Sequence, residues 1–309
     1  MTAATPEPAA VVAEQLVRGE DPTLVEIPRK PFHSRAGTVL VYLALLGLAF
    51  LYFTPFIWSF LTSLKDLPET TGFDLWPDNP DLQAYRQVLT DFNFARFAAN
   101  SFGLAATIAF FDVFLSSLGG YAFARLQFPG REVLFILVLS TLMIPDQLRL
   151  VPVFQMLTSF PLIHYNFVGT YQGYVLIKLV SAANLFFMRQ YFLTIPKDFE
   201  EAARLDGAGF FKTYLRVMLP LAAPAVAAVA ILSFEGAWND FFWALIILGF
   251  GTPDHYTLPL GIAQFKFQYQ TLWPQLMAAS ILATLPIAII YIIFQRFFVA
   301  GVVSAGVKG

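Results

Sequence analysis

The sequence has 309 residues, of which 57% are hydrophobic and 13% are charged, about half the roughly 25% charged residues of an average soluble domain. This composition excludes an ordinary soluble domain and indicates an integral membrane protein. The absence of cysteine excludes disulfides and thiolate metal sites, three histidines leave no candidate metal cluster, and a net charge of −2 without a basic patch gives no sign of nucleic-acid binding.

The first 36 residues mix proline, alanine and charges of both signs. They lack the basic start and short apolar run of a cleavable signal peptide, so we expect a soluble, flexible tail over residues 1–36. Arg29, Lys30 and Arg35 stand just before the first apolar run. Basic residues in that place favour a cytoplasmic N-terminus.

Six apolar runs follow, each near the ~20 residues that a helix needs to cross a bilayer. They lie near residues 38–62, 99–124, 132–156, 167–190, 219–248 and 274–299. In the third run, "IPDQLRLVP" brings Pro145, Asp146, Arg149 and Pro152 together, which predicts a kink and partial exit from lipid. The predicted fold class is therefore an all-α integral membrane protein with six transmembrane helices.

The distribution of charge predicts the orientation of these helices. With the N-terminus inside, the inner segments hold 13 of the 19 lysines and arginines and the outer segments five, while the first outer loop is acidic. An excess of basic residues marks the cytoplasmic side. We therefore expect both termini in the cytoplasm, a six-helix domain over residues 37–300 and a cytoplasmic C-terminal tail over residues 301–309.

Residues 200–225, "EEAARLDGAGFFKTYLRVMLPLAAPA", form a polar stretch in a mostly hydrophobic chain. Phe199, Ala202 and Ala203 recur at i, i+3 and i+4, which predicts a short helix with small residues on one face. Gly207 permits the left-handed conformation that ends a helix, and "FFKTYLRVM" can begin a second one. The sequence therefore predicts a helical elbow at the cytoplasmic surface of the membrane.

The elbow carries a recognisable motif. "EAARLDG", nine further residues and then "VMLP" resemble the EAA-x3-G-x9-I-x-LP signature of ABC importer permeases, with Val217 where that family usually has isoleucine. "FEGAWNDFFWALI", "YTLPLGIAQF" and the final "RFFVAGVVSAGVKG" are similar to maltose-type permease subunits of the sugar-importer branch. The likeness runs from the first apolar run to Gly309 and leaves the N-terminal tail uncovered.

This resemblance implies the type I ABC importer permease architecture, in which the elbow is a coupling helix docked on a cytoplasmic ATPase subunit. The coupling loop is here residues 191–218, and Glu201, Ala202, Ala203 and Gly207 hold the motif positions, with Asp206 beside the glycine. The C-terminal tail, by the same resemblance, reaches between the ATPase subunits. The alternative for the elbow is an amphipathic helix that lies on lipid headgroups.

The resemblance also implies the partners and the location of the chain. The partners are a second permease subunit in a heterodimer, two copies of an ATPase subunit and an extracytoplasmic solute-binding protein, in the cytoplasmic (inner) membrane of a bacterium or archaeon. No G-x-x-x-x-G-K-[ST] phosphate loop occurs in the chain, so we expect no enzyme activity here and place ATP and Mg²⁺ on the partner ATPase.

The carried sugar does not follow from the sequence, because specificity also depends on side chains of the partners. A polyol or a glycerol phosphate is an alternative substrate.

Polar groups inside the fifth run are candidates for the translocation path. Glu235, Trp238 and Asn239 recur at i, i+3 and i+4 and should share one face of a helix. A carboxylate, an amide and an aromatic plane suit a sugar, which has hydroxyls and apolar C–H faces. The alternative is that these groups hydrogen-bond neighbouring helices or the second permease.

Two further charges lie within predicted helices. Asp112 and Lys178 each fall about 16 Å below the outer surface, counted at a helical rise of about 1.5 Å per residue. A lone charge at that depth costs at least ~2.5 to 3.5 kcal/mol, so we expect the two residues to form an ion pair or to share a small polar network.

The alternative function is an ion-gradient-driven secondary transporter, in which Glu235, Asp112 and Lys178 relay protons. Against it, the sequence shows no repeated halves with matching interrupted helices, and six helices would be few for such a carrier.

Overall fold

The computed structural model describes residues 35–306, apart from residues 73, 162 and 267–269. The predicted N-terminal tail therefore lies almost wholly outside the described residues, as do residues 307–309 of the predicted C-terminal tail. Over the described residues the regular structure is helical, apart from one isolated antiparallel bridge between Lys266 and Thr271. The predicted all-α class is confirmed.

The α-helices of the described residues differ widely in length, from single turns to helices of more than 30 residues. They are α1 (Arg35–Ser63), α2 (Gln83–Thr90), α3 (Phe94–Arg125), α4 (Arg131–Ser140), α5 (Asp146–Thr158), α6 (Tyr171–Leu176), α7 (Ala182–Thr194), α8 (Asp198–Leu205), α9 (Phe210–Thr213), α10 (Leu219–Leu221), α11 (Ala223–Trp238), α12 (Phe242–Leu248), α13 (Leu258–Ile262) and α14 (Trp273–Gly306). A π-turn, Tyr214–Met218, joins α9 to α10, and 3₁₀ turns lie at Pro68–Thr71, Thr141–Met143, Pro253–His255 and Ala263–Phe265.

Three of these helices, α1, α3 and α14, are long and apolar enough to cross a membrane. Two bent pairs pass the same criterion if each is counted as one span. The chain bends by 106° between Arg131–Met143 and Asp146–Thr158. It bends by 81° between Phe210–Leu221 and Ala223–Trp238. The described residues thus give three spans, or up to five, and the kink predicted at "IPDQLRLVP" is confirmed.

The fourth predicted run is not one continuous helix. It is divided between α6 and α7, with residues 177–181 between them. Side-chain caps begin both pieces, because Thr170 accepts a hydrogen bond from Gly173 N and Ser181 accepts one from Asn184 N. The predicted count of six spans is therefore not confirmed.

The chain divides after Pro55 into two units. In the described part of the first unit, residues 35–55, the helix is apolar and its side chains from Val39 onward are exposed. A helix with an apolar surface on every side is suited to lipid or to a partner chain rather than to water.

In the second unit α3 is the central helix, and α7 and α11 lie along it. Gly120 permits the close approach of α3 and α7, since a Cβ there would lie 2.7 Å from Met188 Cβ and 2.8 Å from Arg189 N. Small residues at such crossings let helix backbones come into contact in membrane proteins.

Three buried clusters lie among the described residues of the second unit, and two of them surround opposite ends of α3. The far-end core surrounds the first half of α3 and includes Phe97, Leu104, Tyr174, Trp238 and Ile247. The elbow-end core surrounds the second half and includes Tyr121, Met188, Phe192, Tyr214 and Met218. The elbow is therefore anchored on the membrane helices by buried side chains.

Candidate functional site

The predicted elbow is present, and its first helix is α8. Asp198, Glu200 and Glu201 lie in the first turn of α8, where negative charge is stabilised by the helix dipole. The helix ends at Leu205, and Gly207 closes it in the left-handed conformation that the sequence predicts, with φ +75°. Ala208 N bonds to Ala203 O at 2.9 Å and Gly207 N to Arg204 O at 3.0 Å, the two hydrogen bonds of a Schellman cap.

The second arm of the elbow leads into the membrane-spanning part of the chain. It contains the π-turn Tyr214–Met218, a type of helix irregularity that is frequent at functional sites. Tyr214 is buried against α3, where its hydroxyl lies 2.7 Å from Ser117 Oγ. This contact fixes the second arm to the central helix, so that the elbow and α3 are joined by packing and by a hydrogen bond.

The outer surface of the elbow is both apolar and grooved. Leu205 is 90% exposed, and Phe199, Phe210 and Phe211 are exposed as well. We call these four side chains the elbow surface. An exposed apolar cluster of this kind marks an interaction site.

A groove of about 350 Å³ runs beside the elbow surface, between the two arms. Ala202, Ala203 and Asp206 of the predicted site line it on the α8 side, and Lys212 and Arg216 line it on the other. Among the predicted coupling residues, Glu201, Ala202, Asp206 and Gly207 are exposed and Ala203 is buried. The structure thus brings the predicted coupling residues onto one accessible element.

The three predicted path residues do not share one environment. Glu235 and Asn239 are exposed, whereas Trp238 is 3% exposed, stacks on Phe234 and donates its indole N–H to Ala283 O at 3.2 Å. Trp238 therefore packs on Phe234 and bonds to α14, and its place on a translocation path stays a prediction.

Glu235 and Asn239 lie beside a break in the helix. α11 ends at Trp238 and α12 begins at Phe242, so the backbone between them is not helical. Irregular backbone at membrane depth is tolerated only where protein covers it or where it lines an aqueous cavity. Within the described residues Glu235 has no ion-pair partner, so its carboxylate needs water or a partner chain.

Asp112 is the centre of a buried polar cluster. Its carboxylate is 3% exposed and accepts four hydrogen bonds: Oδ1 from Ser116 Oγ and Ser181 N at 2.7 Å each, and Oδ2 from Asn184 Nδ2 at 2.7 Å and Ser233 Oγ at 2.6 Å. We call these five residues the Asp112 cluster. It joins α3, α7 and α11 through donors that are all neutral, which balances the cost of burying the carboxylate.

The predicted contact between Asp112 and Lys178 is wrong. Lys178 Nζ lies 3.2 Å from Asp240 Oδ2, which also accepts a hydrogen bond from Tyr174 Oη at 2.9 Å. The prediction measured depth along an unbroken helix, whereas the backbone leaves helical geometry at residues 177–181. That break turns Ser181 toward Asp112 and lets Lys178 reach Asp240.

The Lys178–Asp240 pair predicts a specific pattern of mutant stability. Lys178→Met and Asp240→Asn should each lower the thermal stability of the purified protein, because each leaves one partly buried charge or acceptor unpaired. The double variant should be less unstable than the sum of the two, with an interaction energy of about 1–2 kcal/mol.

The matched control for this cycle combines Lys178→Met with Asp112→Asn, two sites without a shared ion pair. The effects of that combination should add. An additive result for Lys178 and Asp240, or a coupled result for Lys178 and Asp112, would contradict the observed pairing. Thermal unfolding in detergent measures all five variants.

The described residues contain no group of three or more His, Asp or Glu side chains that could hold a metal ion.

Long apolar helices, bent spans, exposed polar groups at a helix break and an exposed elbow define a multi-pass membrane transport subunit. The chain belongs to the family of binding-protein-dependent transport system inner membrane components, whose family model matches residues 113–304. The match includes the elbow and the helix break, and it agrees with the resemblance to ABC importer permeases.

Several individual relatives are named as permeases for carbohydrates. It is 34% identical to an arabinooligosaccharide transport system permease protein of Halalkalibacterium halodurans, over 89% of this chain and 99% of that one. It is 33% identical to a trehalose/maltose transport system permease protein of Thermococcus litoralis, over 88% of this chain and 97% of that one. A solved bacterial ABC transporter involved in the import of alginate has a chain with a TM-score of 0.74 and 25% identity, covering 87% of this chain and all of that one.

Proposed function

We propose that this chain is one of two permease subunits of an ATP-driven importer for a sugar or oligosaccharide. The observation that carries the proposal is the elbow: a helix closed by a left-handed glycine, with an apolar surface and a groove that face away from the bundle. The carbohydrate permeases among its relatives supply the substrate class.

The elbow suits a coupling helix better than a helix lying on headgroups. A helix at the lipid surface needs basic residues around one apolar stripe, whereas the first turn of α8 is acidic. The groove carries acidic Asp206 on one wall and basic Lys212 and Arg216 on the other, which gives a partner a defined orientation. We place an ATPase subunit on this surface, with Glu201, Ala202, Ala203, Asp206 and Gly207 at the contact.

The break beside Glu235 is our candidate for the translocation path. Glu235 and Asn239 offer a carboxylate and an amide to hydroxyl groups. Such a surface must face water or another subunit in a membrane. A second permease subunit that contributes the other half of the path meets this requirement.

The remaining partners follow from the same assignment. The chain supplies no phosphate loop, so the ATPase subunits, present in two copies, bind ATP and Mg²⁺. A solute-binding protein delivers the sugar on the outer side, in keeping with the family description. The elbow then lies in the cytoplasm together with both termini, in the cytoplasmic membrane of a bacterium or archaeon.

Reconstitution tests the proposal. The chain is co-expressed with the second permease, ATPase and binding protein that co-purify with it, and the sugar is chosen by a thermal-shift screen of the binding protein. Proteoliposomes should take up that sugar only with ATP present, and the loaded binding protein should stimulate ATP hydrolysis. A Walker-lysine variant of the ATPase subunit is the control and should abolish uptake. Uptake driven by an ion gradient without ATP would contradict the proposal and favour a secondary transporter.

A further inference from the structure

Arg125, the last residue of α3, is buried at the junction of three segments. Its side chain is 4% exposed. Its Nη2 donates to Phe192 O at 2.6 Å and to Ile195 O, two carbonyls at the C-terminal end of α7. Carbonyls at a helix end carry partial negative charge and have lone pairs that the helix leaves free, so a guanidinium there bonds to them and complements the helix dipole.

The same guanidinium faces the first turn of the elbow. Arg125 Nε lies 3.6 Å from Glu200 Oε1, and the side chain of Glu200 is 8% exposed. Neither of these two facing atoms has a hydrogen-bond partner in the described residues. Glu200 is the residue just before the signature glutamate Glu201, and it faces the bundle while Glu201 faces outward.

Arg125 thus connects the end of α3, the end of α7 and the beginning of α8. We infer that Arg125 and Glu200 are positioning residues that fix the direction of α8 relative to the membrane helices, so that a displacement of the elbow moves α3 and α7 with it. This inference rests on the proposed role of the elbow as the contact with the ATPase subunit. It adds the connection on the membrane side of that contact.

The chemistry of the Arg125–Glu200 pair is better suited to fixing the direction of α8 than to simply holding α8 against the membrane helices. Burying two charges is a costly way to hold two elements together, because a well-packed apolar pair of the same volume often stabilises equally or more. A guanidinium, however, has donors in a fixed planar fork and can hold the two carbonyls and the carboxylate in one orientation. The elbow-end core supplies the adhesion, with Tyr214 and Met218 buried against α3 and α7.

The mechanical connection at Arg125 extends along α3 to the Asp112 cluster. Asp112 and Arg125 lie on the same helix, about 20 Å apart along its axis at the ordinary helical rise. Both residues contact α7 or the segment just before it: Asp112 through Ser181 and Asn184, and Arg125 through Phe192. α3 and α7 are thus joined near both ends of α7, and a movement that enters at Arg125 is carried by the pair of helices as one body.

The experiment uses the complete transporter in proteoliposomes and compares Glu200→Gln with the wild type. Assembly and basal ATP hydrolysis should be retained, whereas the amount of sugar taken up per ATP hydrolysed should fall about tenfold, within the usual range of a coupling interaction. Arg125→Lys keeps the charge but cannot hold both carbonyls and Glu200 together, so its loss should be intermediate. The matched control is Asp146→Asn, which removes a carboxylate of a half-exposed ion pair within α5 and should leave the ratio unchanged.

If Glu200→Gln does not assemble, a second variant still tests the inference. Arg125→Met with Glu200→Met replaces the pair by apolar side chains and should restore assembly but not the uptake per ATP. Wild-type coupling in Glu200→Gln, or recovery of both assembly and coupling in the double methionine variant, would overturn the inference. Failure of the proposed function itself has a different signature, because wild-type proteoliposomes would then show no ATP-dependent uptake.

Discussion

Replacing Asp112 by leucine is expected to prevent accumulation of the folded protein in the membrane. Four donors would lose this acceptor at once: the hydroxyls of Ser116 and Ser233, the backbone N–H of Ser181, and the amide of Asn184, which keeps only its bond to Ser233 Oγ at 3.0 Å. Each buried donor without a partner costs about 1–3 kcal/mol. The sum is comparable to the roughly 5–15 kcal/mol by which folded domains are stable.

Fluorescence-detected gel filtration and thermal unfolding in detergent measure the effect. Asp112→Asn keeps one acceptor oxygen and should be intermediate, and Ser116→Ala removes only one of the four donors and should cost about 1 kcal/mol. Asp146→Leu is the matched control, since Asp146 is exposed at the start of α5. Normal yield and melting of Asp112→Leu would show that the Asp112 cluster does not hold the bundle together.

The parts of the fold that the sequence predicts well depend on local properties. The length of the apolar runs predicts α1, α3 and α14, because a helix that crosses a membrane satisfies its own backbone hydrogen bonds. The elbow is predicted because Gly207 and the motif around it lie within one short segment. The kink near Pro145 is predicted because proline lacks the N–H that a continuous helix needs.

The broken fourth run shows why the remaining features could not be predicted. The hydropathy of residues 167–190 predicts one apolar run. In the structure Ser181 instead caps a new helix and donates its backbone N–H to Asp112. Ser233, another member of the Asp112 cluster, lies 121 residues from Asp112 in sequence. A contact of that separation is decided by helix packing, which one sequence does not reveal.

The path residues show the limit of helical periodicity. Spacing places Glu235 and Trp238 near one another on α11, with Asn239 just past its end, but it does not tell which neighbouring helix covers which residue. α14 crosses close enough for Ala283 to accept the indole N–H of Trp238, while Glu235 stays exposed. The signal that separates them is chemical, since a buried carboxylate needs several hydrogen-bond donors, whereas an indole needs one acceptor for its N–H.

The last prediction concerns the hinge of the elbow. Gly207→Val should lower ATP-driven uptake roughly tenfold, because a left-handed conformation costs an L-residue about 1–2 kcal/mol and more when the side chain is β-branched. Valine would make the end of α8 adopt another conformation, break the hydrogen bonds from Gly207 and Ala208, and turn the groove away from the ATPase subunit. The direct contacts of Arg125, Glu200 and Tyr214 are made elsewhere, so the transporter should still assemble.

Gly209→Val is the matched control for this variant. Both glycines have open space where a Cβ would be, but Gly209 has φ −74°, which any residue adopts. A defect confined to Gly207→Val therefore reports backbone conformation and not a clash. Gly207→Asn should recover most of the uptake, since asparagine tolerates the left-handed region. Uptake and ATP hydrolysis are measured together in proteoliposomes, and equal coupling in the two valine variants would mean that the left-handed cap does not position the elbow.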